Sequence, residues 1–259
     1  YDFPDGTMQR AATLLVLLLA APAAHLWRGD SRVVAVLLIL GVGAATLLVD
    51  SISARLAWIA AVSAAALAWY LPRATAALLA ICIAGTILFA PLAVRLLPVP
   101  DPQDAQARAY LPESAAHRVL IWQFAAERIA ERPLLGWGLD TARSMPGARR
   151  IIPWESGVDL WGRPHFTSVV QMPLHPHNAP LQWWMELGLP GAVLGTAVAL
   201  LALAAAARAT RDRADRAAAL GLVAAGTAVA AISYGAWLSG WLLTMFLAAA
   251  AMAAAARQS

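Results

Sequence analysis

Seven stretches of alanine, leucine, valine and isoleucine, most of them close to the length of a bilayer crossing, constrain this chain more than any other feature. They run over 11–27, 33–49, 55–72, 74–98, 190–207, 217–235 and 238–256. A helix rises about 1.5 Å per residue, so roughly 20 apolar residues cross the hydrocarbon layer. Lipid offers no partner to backbone N–H and C=O groups, and each stretch must satisfy them within itself as a helix. The fold class that follows is an all-α integral membrane protein, a multi-span helical bundle. Residues 99–189 are inserted between spans as a large, partly helical loop. We read 1–259 as a single membrane domain. Because Tyr1 is not an initiator methionine and no leader pattern precedes the first span, we expect it to be the C-terminal part of a longer protein.

Charge excludes several classes. Charged residues make up 13% of the chain, against about 25% in soluble domains. All 19 basic residues are arginine and the net charge is +4. These arginines sit at helix ends and in the loop rather than along one face, which argues against a nucleic-acid surface. Cys82 is the single cysteine, so neither an intramolecular disulfide nor a cysteine metal site can form.

Orientation comes from the short breaks, where arginine favours the cytoplasm. Between Arg208 and Arg216 there are four arginines against two aspartates, which we place in the cytoplasm. Threading backwards puts 99–189 outside, together with the turn 50–55 and residues 1–10. Arg55 then falls on the outer side, against the charge bias.

The outer loop is the polar part of the chain. Between 101 and 163 it carries eight arginines and eight acids, so it is no polyanion patch. Trp122, Trp137, Trp154, Trp161, Trp183 and Trp184 need something to pack against and oppose disorder. A helix is expected over 114–131, with Ser114 as N-cap and Pro133 as stop. Gly136 and Gly138 allow a tight turn and close backbone approach. A second helix is expected over 179–187, capped by Asn178, with Pro180 in its first turn and Gly188 and Pro190 closing it. His177 and Asn178 then stand at a helix N-terminus, which attracts anionic groups. Gln182 and Glu186, four apart, line one face. His175 and His177 could face one ion, but no third and fourth ligands lie nearby, and no metal site is expected.

Four segments carry a resemblance. His177-Asn178, nine residues, then Gly188-Leu189-Pro190-Gly191 resembles the signature of the O-antigen ligase and polymerase family of bacterial membrane glycosyltransferases. Pro133-Leu134-Leu135-Gly136-Trp137-Gly138 resembles the family's Pro-Leu-x-Gly-x-Gly segment, and Arg118-Val119-Leu120-Ile121-Trp122 its loop arginine motif. Ser53-Ala54-Arg55 resembles its other arginine motif, with an alanine inserted where the family reads Ser-Arg. Family members have more spans than the seven seen here.

The resemblance implies transfer of a glycan from a polyprenyl diphosphate carrier to an acceptor hydroxyl, with inversion, without a metal or other cofactor. The setting would be the periplasmic face of the bacterial inner (cytoplasmic) membrane. The acceptor is lipid A-core in ligases, or the growing glycan in O-antigen and exopolysaccharide polymerases. An enzyme without a divalent cation must neutralise the diphosphate with arginines, whose planar fork pairs with phosphate oxygens and stays protonated. On this reading Arg118 and Arg55 clamp the diphosphate and His177 is the general base. Asn178, His175 and Glu186 complete the substrate side, and His175 or Glu186 sets the tautomer of His177. Partners are the donor, a lipid or glycan acceptor and membrane lipids. A transporter or channel subunit is the non-enzymatic alternative; spans nearly free of charge weigh against it.

Overall fold

The computed structural model describes residues 6–49, 51–106, 109–158, 161, 163–208 and 212–257. Asp50, Arg108, Asp159 and Arg211, which entered the charge and orientation readings, lie outside the described residues, as do positions 1–5. The chain forms two compact units, one of residues 1–84 with 197–259 and one of residues 85–196.

Among the described residues the first unit is built of helices joined by short turns, without strands. Helices α1 (Gly6–Leu18) and α2 (Ala20–Arg28) together make one apolar segment, Thr7–Arg28. Then come α3 (Arg32–Leu48), α4 (Ile52–Tyr70) and most of α5 (Pro72–Leu88). After the second unit the chain returns through α9 (Arg213–Ile232) and α10 (Ser239–Arg257). Among the described residues five helical segments are long and apolar enough to cross a membrane: Thr7–Arg28, Ile52–Tyr70, Ala179–Arg208, Arg213–Ile232 and Ser239–Arg257. The other two of the seven expected stretches, 33–49 and 74–98, are shorter helices, the second divided between α5 and the helix Ala90–Arg95. Helices α3 and α5 are apolar but 17 residues long, close to 25 Å at about 1.5 Å per residue.

Capping follows the residues. Ser51 accepts a hydrogen bond from the Ala54 amide at 3.3 Å and starts α4. Asp212 starts α9, its Oδ1 accepting from the amides of Ala214 at 2.8 Å and Asp215 at 3.0 Å. Helices α4 and α9 pack backbone to backbone: a Cβ on Gly221 would lie 2.7 Å from the Ala61 carbonyl oxygen. Without a hydrophobic drive between helices in lipid, such close approach of small residues is the main source of association. A charge pair is buried in this unit. Arg28 donates to Asp215 at 3.1 Å, where Asp215 is fully buried, and to the Ala255 carbonyl at 3.0 Å.

The second unit comprises the end of α5, then α6 (Ala90–Arg95), α7 (Glu113–Glu131), a β-hairpin and the first part of α8 (Ala179–Arg208). Helix α7 begins one residue before the expected N-cap. Pro112, with φ −59° and ψ 143°, takes the cap position, so Ser114 is already inside the helix. Its apolar face, with Ile121, Phe124, Ala125 and Ile129, joins Val94, Met172, Leu181 and Met185 in one core. Strands β1 (Ile151–Val158) and β2 (Pro164–Val170) pair antiparallel with an irregularity between Glu155 and Gly157. The hairpin was not expected from the sequence.

The second loop helix closes at Gly188, as expected. The chain kinks there, with φ 65° and ψ −151°, and continues as the next apolar helix to Arg208. Gly188 adopts a backbone conformation that essentially only glycine tolerates, and Pro190 lacks the amide an unbroken ladder would need.

Candidate functional site

The site grows from the start of α8. Asn178 Oδ1 accepts from the Leu181 amide at 2.9 Å, and the residue is 7% exposed. Its side-chain oxygen thus serves the helix end, as the sequence led us to expect of an N-cap. The residue before it, His177, has φ 53° in the left-handed region, where histidine, with asparagine and aspartate, is over-represented among non-glycine residues. His177 is half-buried.

His175 fixes this turn. Its Nδ1 accepts from the His177 amide at 3.1 Å, and the two rings meet edge to face with centroids 4.4 Å apart. A backbone N–H can only donate, so Nδ1 of His175 carries no proton and the proton of the neutral ring is on Nε2. Burial lowers the His175 pKa and keeps the ring in that neutral state.

Helix α7 supplies the opposite wall. Trp122 donates from Nε1 to the Pro176 carbonyl at 2.7 Å, tying the helix to the residue directly before His177. Arg118 stands four residues earlier, on the same face as Trp122, and is half-buried. The neighbouring His117 rests edge to face on Trp154, with centroids 5.6 Å apart. Burial is the main cause that lowers its pKa; Arg118 lowers it further, while a hydrogen bond to Val170 and the Glu113 carboxylate oppose. Glu113 itself accepts from the Trp154 indole.

Below the turn, Gln182 donates to Glu186 at 2.8 Å, and Glu186 is 1% exposed. Glu186 therefore sits inside the fold rather than on an open face. The Pro133–Gly138 segment closes the end of this first part of α8. The amides of Trp137 and Gly138 donate to the carbonyls of Met185 and Glu186, both at 2.9 Å, and the Leu189 amide donates to the Pro133 carbonyl at 2.9 Å. The kink frees those two carbonyls, and a segment fifty residues away in sequence satisfies them. The approach is as close as backbones allow: a Cβ on Gly136 would lie 2.5 Å from the Glu186 carbonyl carbon, and one on Gly188 2.5 Å from that of Leu134. Trp137 also ties back to α7, donating to the Arg128 carbonyl at 2.8 Å. Beyond the kink, Gly195 accommodates the ring of Trp183.

The second unit thus brings Arg118, His175, His177, Asn178 and Glu186 onto one framework of α7, α8 and the Pro133–Gly138 segment. Arg55 belongs to the first unit. Its Nε donates to the Thr46 carbonyl at 3.2 Å and its Nη2 to the Leu47 carbonyl at 3.4 Å, so it caps the C-terminal end of α3. Among the described residues no group of three or more His, Cys, Asp or Glu is placed to hold a metal ion. Sequence reasoning missed the anchoring role of Trp122, for which its position one turn after Arg118 was the available signal.

Comparison with known proteins gives a consistent picture. The family model described as O-antigen ligase matches residues 51–196, more than half of the chain. Over 114 residues the chain is 35% identical to a protein of Rickettsia conorii named "putative polysaccharide ligase", covering 43% of this chain and 24% of that protein. Like-named proteins of Rickettsia prowazekii and Rickettsia felis are 34% and 32% identical over 113 residues, again 43% of this chain and 25% of each relative. The matched stretch thus spans about a quarter of the length of these relatives. No solved structure matches the chain.

Proposed function

The chain belongs to the O-antigen ligase family, and on that premise we propose that it is the part of a membrane glycosyltransferase that moves a glycan from a polyprenyl diphosphate carrier to an acceptor hydroxyl. The observation that carries the reading is the left-handed turn at His177. It stands at the head of α8 and is bridged through Pro176 to the helix face that bears Arg118.

In the proposed reaction the acceptor oxygen attacks the anomeric carbon from the face opposite the diphosphate. The bond from that carbon to the diphosphate oxygen breaks, and the carrier leaves with the electron pair. His177 takes the hydroxyl proton as the new bond forms, which inverts the configuration. Such a base contributes roughly 10²–10⁴ in rate. Arg118 meets the developing charge on the diphosphate, the role a divalent cation has elsewhere, and transfer then persists in a chelator. His175 and Glu186 act as positioning groups, and Asn178 acts by starting the helix beneath the base.

We assign the site to the periplasmic side of the bacterial inner membrane, because the arginine-rich break 208–216 then faces the cytoplasm. The acceptor is lipid A-core in the ligase reading and the growing glycan in the polymerase reading. The test uses the full-length purified protein, a defined polyprenyl-diphosphate glycan and each acceptor in turn. His177→Asn keeps a residue tolerant of φ 53° yet removes the base, and the expected outcome is a 10²–10⁴ loss of transfer with unchanged melting. Full activity of this variant refutes the assignment. Transfer to one acceptor and not the other decides between ligase and polymerase.

A further inference from the structure

The first unit holds an apolar groove of about 360 Å³ between α2, α4 and α9. Its walls are mostly small side chains, among them Ala23, Ala65, Ala66, Ala218 and Gly221. At one end stand Trp27 and Trp69, edge to face with centroids 5.9 Å apart. Both indoles also line an adjoining polar hollow formed by His25, Arg28, Arg32, Asp212 and Arg213.

The charges in that hollow are not balanced. Arg28 is neutralised by the buried Asp215. Asp212 caps α9 through Oδ1 and keeps its negative charge, so three arginines face two aspartates and one positive charge is in excess. Arg32 and Arg213 are exposed, and among the described residues neither has an ion-pair or hydrogen-bond partner. Two unpaired guanidiniums therefore stand over a hydrocarbon-lined slot, with a tryptophan pair at the level where apolar and polar surroundings meet.

We infer that this is a binding site for one anionic phospholipid, with an acyl chain in the groove and the headgroup phosphate between Arg32 and Arg213. The occupant follows from the two halves together. A free phosphate would leave the groove empty, and an uncharged lipid would leave the excess positive charge without an anion. The inference does not rest on the transferase reading, because none of these residues belongs to the site on α7 and α8.

The experiment uses the full-length protein in nanodiscs, with retained lipid measured by native mass spectrometry after mild detergent transfer. The probes are phosphatidylglycerol and phosphatidylcholine of equal chain length. Wild type is expected to keep one phosphatidylglycerol in preference to phosphatidylcholine. Each arginine near a membrane surface is worth about fivefold in anionic-lipid binding, so Arg32→Gln with Arg213→Gln should lower the preference about 25-fold. Ala66→Phe, which fills the groove, should remove bound lipid of both classes. Millimolar glycerol phosphate should displace nothing. Equal retention of the two lipids by wild type overturns the inference, as does an unchanged preference in the double variant or displacement by glycerol phosphate alone. So does full retention in a folded Ala66→Phe protein, which would mean that the retained lipid does not lie in the groove. Arg32 and Arg213 are exposed positions, so that variant stays readable if Ala66→Phe fails to fold.

Discussion

Replacing Gly188 by alanine tests how the site is held. The added Cβ would lie 2.5 Å from the carbonyl carbon and oxygen of Leu134 and 2.7 Å from the Leu135 nitrogen. All three are backbone atoms, so no side chain can rotate away to make room. Two effects add. Holding a non-glycine residue at φ 65°, ψ −151° costs about 1–3 kcal/mol. Moving the Pro133–Gly138 segment away loosens three 2.9 Å backbone hydrogen bonds, each worth about 0.5–1.5 kcal/mol net. The expected loss is about 3–6 kcal/mol. At roughly 2–4 °C per kcal/mol for a chain of this size, melting should fall on the order of 10 °C or more. The measurement is thermal unfolding in detergent, alongside proteolysis of the segment 133–138. Gly85→Ala is the control: its Cβ would meet nothing within 4 Å inside α5, and it should be neutral or stabilising by up to about 1 kcal/mol. If Gly188→Ala melts like the control, the backbone interlock is not what holds α8 to the loop.

Other expectations follow from the charges. Arg28→Leu strands the fully buried Asp215 and should cost about 3–5 kcal/mol, while Arg28→Leu with Asp215→Leu should recover much of it. A double variant no more stable than the single one refutes that account. His117 and His175 have pKa values below 6.5 in the folded protein. The unfolded chain therefore binds protons first as pH falls below 6.5, and stability is full above that value and declines as pH drops toward the folded pKa values. Melting followed from pH 7.5 to 5 should show this loss, and His117→Phe with His175→Gln should flatten it. An equally steep decline in the double variant would place the effect elsewhere.

Much of this was legible along the chain because membrane helices are specified locally. Hydropathy alone marked every apolar helix, and Asn178 and Gly188 announced a helix start and a break. What escaped depends on distant contacts or on fine backbone geometry. The interlock of Gly136 with Gly188 joins segments fifty residues apart, and a Gly-rich motif says only that something comes close. The hairpin 151–170 holds Pro153, Ser156 and Gly157 and has a register irregularity, so it lacks a clean period-two pattern. Ser114 was a sound N-cap by type, yet Pro112 two positions earlier already had the extended ψ that a helix start requires. Arg55 read as an anion ligand from its motif, and the carbonyls of Thr46 and Leu47, brought over by the α3–α4 turn, claim part of its guanidinium.

The positive φ of His177 bears on how this position can drift over generations. A side chain there must satisfy a backbone that admits histidine, asparagine, aspartate or glycine with little penalty and resists β-branched and bulky residues. On the proposed role of His177, random substitutions at 177 should therefore divide into a small group that preserves folding, within which asparagine and glycine offer no proton acceptor, and a larger group depleted already at the level of abundance. A saturation library scored once for surface glycan and once for protein amount would separate the two, and the first group would mark the side chain's chemistry apart from its geometry.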